Sequence, residues 1–436
     1  MRCGSLNILK IARSGIILAV FYLGCSETTE QFILPSPPNP GPRGWETPPL
    51  LSAQALLPPE LRKGPHHEAQ NGVVNDGAQN HFVITSEFGE FGQFHASSEP
   101  LVRVRVNEIE AIALIKEASR SKVFMDAAKY QATYPFKGMK LVFTEPAQAA
   151  SHAGGALLEY LSFPGRTVKA EWSDAEDNWS KDMIGFSYLK RRLAFQFGVD
   201  PYSSNQILQD ELNNLAWIAF IGDIGPQIGT YFIPSGVISF AVTSSQWTTV
   251  LQEQVRDQSP GDLRAMNRAR LAEIGISETD IHEFFRNPLY SPRHQTVISA
   301  ALQDMDDVAD RSKFLKDASE ANSEEAVLFY QYVAEMMRGY HRHVGRADRL
   351  IALPKIPALY TTDRRLVVLL PVDHVFWTSR VAGVAAALTA NVPRRPRVAR
   401  REIWVAGNVS AHAREELESA GWAVREQVKA RLFPPA

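Results

Sequence analysis

Cysteine is nearly missing from this chain: it has 2 among 436 residues, Cys3 and Cys25. Both precede residue 26, so no disulfide can staple the remainder of the chain, and the folded part has to be held by packing. Spanning-length apolar runs are lacking as well. The run Gly15–Gly24 (GIILAVFYLG) is roughly half of the ~20 apolar residues that a bilayer-crossing helix needs. No G-x-S-x-G elbow is present, no cysteine is left over as a nucleophile, and no segment repeats at a fixed period.

Metal-ligand spacings are poor. His341 and His343 are two apart, which aligns them only on an extended segment, and the sequence there reads as a helix end. The cluster Asp304, Asp306, Asp307 and Asp310 lacks the glycine and terminal glutamate of a calcium loop and reads as the solvated side of a helix. No cofactor is implied.

The chain begins with an export signal. Residues 1–24 hold Arg2, Lys10 and Arg13 and no acidic residue, and these cations lead into an apolar stretch of about ten residues, which is the grammar of a secretory signal peptide. Cys25 comes directly after Leu23-Gly24. This resembles the bacterial lipoprotein signal, in which the cysteine after a small residue is lipidated and becomes the first residue of the mature chain. The resemblance implies a lipid anchor on Cys25, although Tyr22 stands where that pattern has leucine and Leu23 is bulkier than usual. Ordinary cleavage near the same point, giving a periplasmic or secreted product, is the alternative.

Ten of the 27 prolines fall in residues 26–80, including PSPPNPGP at 35–42. Residues 25–80 therefore read as a proline-rich flexible stalk, with His66-His67 solvent-exposed on it. Beyond it, 45% hydrophobic and 22% charged residues leave ample material for a core. The expected fold is mixed α/β and helix-rich. A mainly helical body (81–345) with short N-terminal strands is succeeded by a small basic α/β subdomain (346–436).

Strands are predicted at Phe82–Ser86, Phe91–His95 and Leu101–Val106, the last from its Val/Arg alternation. Helices are predicted at Met183–Phe197, Gln206–Phe220, Leu263–Ile274, Glu278–Arg286 and Glu324–Tyr340, from their apolar stripes and caps. Further strands are placed at Arg349–Leu353, Leu366–Pro371 and Glu402–Ala406, with a helix near Val375–Leu388. The clearest unit is the last one: strand Ile403–Val405, Ser410 as a cap, Ala413 and Leu417 turned inward, Gly421 as a stop, then Trp422–Val424.

Charge is uneven. From His341 to Ala436 there are sixteen Lys and Arg against eight Asp and Glu, although the whole chain carries only −2. The densest part is Arg394, Arg395, Arg397, Arg400 and Arg401, broken by Pro393 and Pro396 and so read as an exposed loop. Guanidinium forks suit phosphate-bearing headgroups or an acidic partner, while the plainer reading is a solvated loop balancing the acidic remainder. Nucleic acid is a poor partner for an exported chain without an accompanying aromatic platform.

Two other features bear on function. Leu215–Val242 carries a single charge, Asp223, and is broken by Gly222, Gly225, Pro226 and Gly229, giving a buried hairpin or an insertion element for a bilayer or an apolar ligand, with Asp223 in its turn. Asp373-His374 lies just past the apolar run Leu366–Leu370, at a strand end where α/β folds often place chemistry. A neighbouring acid and imidazole without a visible third partner make a weak catalytic pair, set against a structural role near Trp377.

The segment Arg192–Leu212 (RLAFQFGVDPYSSNQILQDEL) is similar to a signature of a family of uncharacterised exported bacterial proteins, and the resemblance implies no particular activity. The function expected from these readings is a non-catalytic binding or assembly component of the cell envelope, tethered by lipid and meeting an envelope protein, a lipid or an apolar ligand. The alternative is a periplasmic or secreted hydrolase with a site near Asp373 and His374.

Overall fold

The structure is a computed structural model that describes residues 44–90, 92–120, 181–221, 246–305 and 307–434. Residues 1–24, Cys25, Asp223 and Asp306 lie outside the described residues. All described residues belong to one compact unit, Leu34–Ala436.

An antiparallel sheet opens the fold. Its strands are β1 (Leu51–Ser52), β2 (Glu68–Ala69), β3 (Gly72–Asn75), β4 (Asn80–Glu90) and β5 (Gln93–Ser97), in the order β1-β3-β4-β2 with β5 also on β4. Two helical turns, α1 (Ala53–Leu56) and α2 (Pro59–Arg62), link β1 to β2. Residues 51–80, expected as part of a stalk, are therefore ordered: Ala53, Leu57, Leu61 and Val73 are buried with Phe82 and Ile84. Pro59 is the first residue of α2, where a missing N–H costs nothing, so proline here starts a helix instead of extending a linker. Elements this short carry no period to read. His67, expected in solvent, is buried with its Nδ1 at 3.2 Å from Glu110.

The next helix, α3 (Glu99–Ser119), corrects a second expectation. Leu101–Val106 forms its first turns and not a strand. Leu101, Val102, Arg105, Val106, Ile109 and Ile112 are all buried along one helical stripe, and that packing overrides the β preference of the valines.

The helical body continues with α4 (Lys181–Gln196), α5 (Gln206–Ile221), α6 (Gln246–Asp257), α7 (Pro260–Glu273), α8 (Glu278–Arg286), α9 (Pro292–Gln303), α10 (Ser312–Ser319) and α11 (Glu324–His343). Serines mark several of their starts. Ser259, Ser277, Ser291 and Ser323 each accept from a backbone N–H in the first turn of α7, α8, α9 and α11. In α5 the predicted stripe Leu208, Leu212, Leu215 and Ala219 is buried against Phe186, Leu193 and Phe197 of α4 and its end. Its cap is Asn205, whose Oδ1 accepts from Leu208 N at 3.2 Å, while Ser203 Oγ donates to Glu108.

The C-terminal part comprises β6 (Ala347–Leu353), β7 (Ile356–Thr361), β8 (Arg365–Leu370), β9 (His374–Val375), α12 (Ser379–Ala390), β10 (Arg400–Val405), β11 (Asn408–Val409), α13 (Ala411–Ser419), β12 (Trp422–Arg425) and α14 (Lys429–Leu432). Its main sheet runs β12-β10-β8-β7-β6, with β12, β10 and β8 parallel and β7 and β6 antiparallel. The run Leu366–Leu369 is fully buried because both faces of the sheet are covered. Val367 and Leu369 pack with Tyr340 and Met336 of α11, whereas Leu366 and Val368 pack with Ala382 of α12 and Ala413 of α13. The fold is thus mixed α/β and helix-rich with short N-terminal strands, as the pattern predicts.

Candidate anion-binding groove

The parallel strands β8, β10 and β12 have two ends of opposite character. At their C-terminal ends, where open α/β sheets usually bind ligands, the chain's own N-terminal segment is stitched in. Asp373 N and His374 N both donate to Ala78 O at 3.1 Å, and Phe376 N donates to Gly77 O at 2.9 Å. Asn75 Nδ2 reaches His374 O and Gln79 Nε2 reaches Pro371 O, each at 3.2 Å. Glu46 accepts from Ser410 Oγ at 2.6 Å and from Trp377 N.

Within this seam the two residues considered for catalysis do not work together. Asp373 Oδ2 accepts from Asn80 N at 3.1 Å, and burial pushes its carboxyl up to about 6 against the pull of that hydrogen bond and of Lys429. The His374 ring stacks on Phe376 with centroids 4.2 Å apart, and burial lowers its pKa. Gly407 passes so close to the Asp373 carbonyl that a Cβ would collide with it. The backbone of Asp373 and His374 and the Asp373 carboxylate thus hold the N-terminal segment, while the His374 ring packs on Phe376 within the C-terminal part.

At the N-terminal ends of β10 and β12 lies an open groove of about 760 Å³, lined by Arg394, Arg397, Arg400, Arg401, Glu418 and Trp422 among others. The loop between α12 and β10 forms its wall. That loop is fixed by Ala399 N donating to Arg364 O at 2.8 Å and by Tyr360 Oη donating to Arg397 O at 3.2 Å. The parallel register sets Arg401 beside Trp422, and the guanidinium lies over the indole at 5.6 Å from its centroid. Trp422 is buried and anchored by Nε1 donating to Thr389 Oγ1 at 2.9 Å. Gly421, at φ +83°, leaves the space the guanidinium fills.

Charge in the groove is unbalanced. Arg400 reaches Glu402 at 3.3 Å, and that buried carboxylate also accepts from Trp404 Nε1 at 2.8 Å. Glu418 leans towards Arg414 at 3.9 Å. Among the described residues, Arg394, Arg395, Arg397 and Arg401 have no carboxylate at ion-pair distance. Arg395 is exposed on the same loop without lining the groove. Arg364, which no sequence pattern singles out, joins the same end through the β7–β8 turn. Only the strand register could have placed it there.

The other polar features are structural. The Asp-Pro-Tyr-Ser-Ser-Asn signature closes a partly buried junction: Ser203 and Asn205 donate to Glu108, Ser204 Oγ donates to Glu324 at 2.9 Å, and Arg105 bridges Glu108 at 3.0 Å and Glu324 at 2.7 Å. Asp200 faces Arg293 at 3.5 Å, with burial raising its pKa and the arginine opposing the rise. His341 is buried and accepts from Ala347 N at 3.2 Å, and Asp304 pairs with Arg338 and Arg342 in place of lining a solvated helix face. No group of three or more His, Cys, Asp or Glu poised for a metal occurs among the described residues, nor does any helix long and apolar enough to cross a membrane.

Compared with protein-family models, curated proteins and solved structures, the chain has no match in any of the three.

Proposed function

We propose that the protein is an exported component of the cell envelope that binds and does not catalyse, tethered to a membrane through lipid on Cys25 and meeting an anionic partner through the arginine groove. The observation that carries this reading is the set of guanidinium groups at the groove without carboxylate partners. Among the described residues of this loop and strand start only Arg400 has a carboxylate at ion-pair distance, which leaves the forks of Arg394, Arg397 and Arg401 available to an anion. The export signal and Cys25 supply the location, and the proline-rich stretch before Gly44 supplies the spacer.

A hydrolase centred on Asp373 and His374 is disfavoured, because the Asp373 carboxylate accepts from Asn80 N and the His374 ring stacks on Phe376. Asp223, the other residue considered for binding, lies outside the described residues, and Leu215 and Ala216 ahead of it are core.

The tether is tested by intact mass and membrane fractionation of the chain expressed in a bacterial host, beside a Cys25→Ser variant. A lipid-modified chain starting at Cys25, with the lipid and the membrane retention both lost in the variant, is the expected result. An unmodified soluble chain starting near Ser26 would replace the tether with a free periplasmic or secreted protein.

A further inference from the structure

We infer that the groove takes a phosphate-bearing ligand, gripping a phosphate monoester or a diphosphate through Arg401, Arg394 and Arg397. The inference rests on the binding reading above and adds the chemistry of what is bound.

Arg401 is the fixed point. Its guanidinium is half-buried, stacked on an anchored Trp422 and set in the space left by Gly421, so its rotamer freedom is already spent before any ligand arrives. Arg394 and Arg397 are exposed on the loop and can close on a ligand from the wall. Three guanidiniums without carboxylate partners at one groove call for a multiply charged anion. A single carboxylate would leave most of that charge unanswered, whereas a phosphate monoester carries about −1.5 to −2 at neutral pH and offers three acceptor oxygens to planar forks.

The groove is open to solvent, so the phosphate held there can be one end of a larger body. Val392 and Val398 in the lining add apolar surface beside the arginines, and Glu418 sets one acidic corner away from which the phosphate oxygens turn. Trp422 is buried and offers no free face for stacking a base, which separates this groove from a single-stranded nucleic-acid platform. A lipid headgroup and a soluble phosphorylated molecule share the required chemistry.

Calorimetric titration of the full chain with inorganic pyrophosphate, and separately with citrate, tests the class. Pyrophosphate is expected to bind more tightly than citrate, and Arg401→Lys is expected to weaken it about tenfold through loss of the bidentate fork. The double variant Arg394→Gln/Arg397→Gln, altered only at exposed positions, should weaken it at least as much, and so guards against misfolding of the Arg401 variant. Citrate binding as tightly as pyrophosphate would overturn the phosphate class while leaving an anion groove. No binding of either, together with no binding to vesicles, would overturn the groove reading itself.

The source is separated by pelleting the Cys25→Ser chain with vesicles containing phosphatidic acid, whose headgroup is a phosphate monoester, beside vesicles without it. Pelleting that pyrophosphate competes away supports a lipid headgroup, and pyrophosphate binding without pelleting supports a soluble phosphorylated molecule. Pelleting that resists pyrophosphate and survives Arg394→Gln/Arg397→Gln contradicts the inference.

Discussion

The two ends of the parallel strands of one mixed sheet have been put to different uses. At the C-terminal ends of β8 and β10, backbone and side-chain hydrogen bonds from residues 46 and 75–80 fill the crevice in which open α/β sheets usually bind ligands. At the N-terminal ends, a short loop and two strand starts leave several arginines facing solvent with no acid to meet them. Chemistry-bearing residue types at the customary end of a strand are therefore not evidence of a site. Whether their polar atoms are already spent on the chain decides the matter, and at Asp373 they are.

Substitutions at the closed end should cost stability and those at the open end should cost binding. The largest expected effect is Gly407→Ala, which forces a Cβ into the Asp373 carbonyl and should lower unfolding stability by about 3 kcal/mol in a urea titration. A loss under about 0.5 kcal/mol would mean that the seam is loose.

Asp373→Asn probes the same seam through pH. A carboxyl whose pKa rises from 3.8 to about 6 on folding holds its proton more tightly in the native state, so its penalty is absent below about pH 4, grows as pH rises and is complete above about pH 6. The variant keeps an acceptor for Asn80 N without the charge. Its stability relative to the wild type should therefore increase by roughly 2 kcal/mol between about pH 4 and pH 7, measured by urea unfolding at each pH. A pH-independent difference would mean that no buried carboxylate titrates in the seam.

Gly421→Ala joins the two properties at the open end. A left-handed φ of +83° and the Arg401 guanidinium both resist the methyl group, and about 1 kcal/mol of stability should be lost together with pyrophosphate affinity. The smallest stability effect belongs to Arg394→Gln/Arg397→Gln. These exposed positions should change unfolding by no more than about 0.5 kcal/mol while binding falls. Thermal unfolding beside calorimetry separates the two readouts.

Part of this architecture is legible in the sequence. The apolar run at 366–370 marks a strand buried on both faces, and Ser410, Ala413, Leu417 and Gly421 spell out cap, inward face and stop of α13. The arginine run is visible too, because five cations within eight residues need no structure to be noticed. Its geometry is not. Arg401 meets Trp422 only through the β10–β12 register, and Arg364 arrives by way of the β7–β8 turn. Asp373 reads as a catalytic candidate from its neighbours in sequence, but its partner Asn80 is 293 positions away, beyond any local pattern. The proline-rich reading of residues 51–80 fails for a related reason. Their apolar side chains have no period of their own and are ordered by α3 and β4, which come later in the chain.

Hydrogen–deuterium exchange on the full chain, with and without inorganic pyrophosphate, tests the contrast between the two ends most directly. Added protection confined to residues 391–401 and the turn at Gly421-Trp422, with none at 75–80 or 373–376, is the predicted result. Protection appearing at 373–376 and the Asn75–Asn80 seam, with the arginine loop unchanged, would contradict it and return the binding site to the C-terminal ends of the strands.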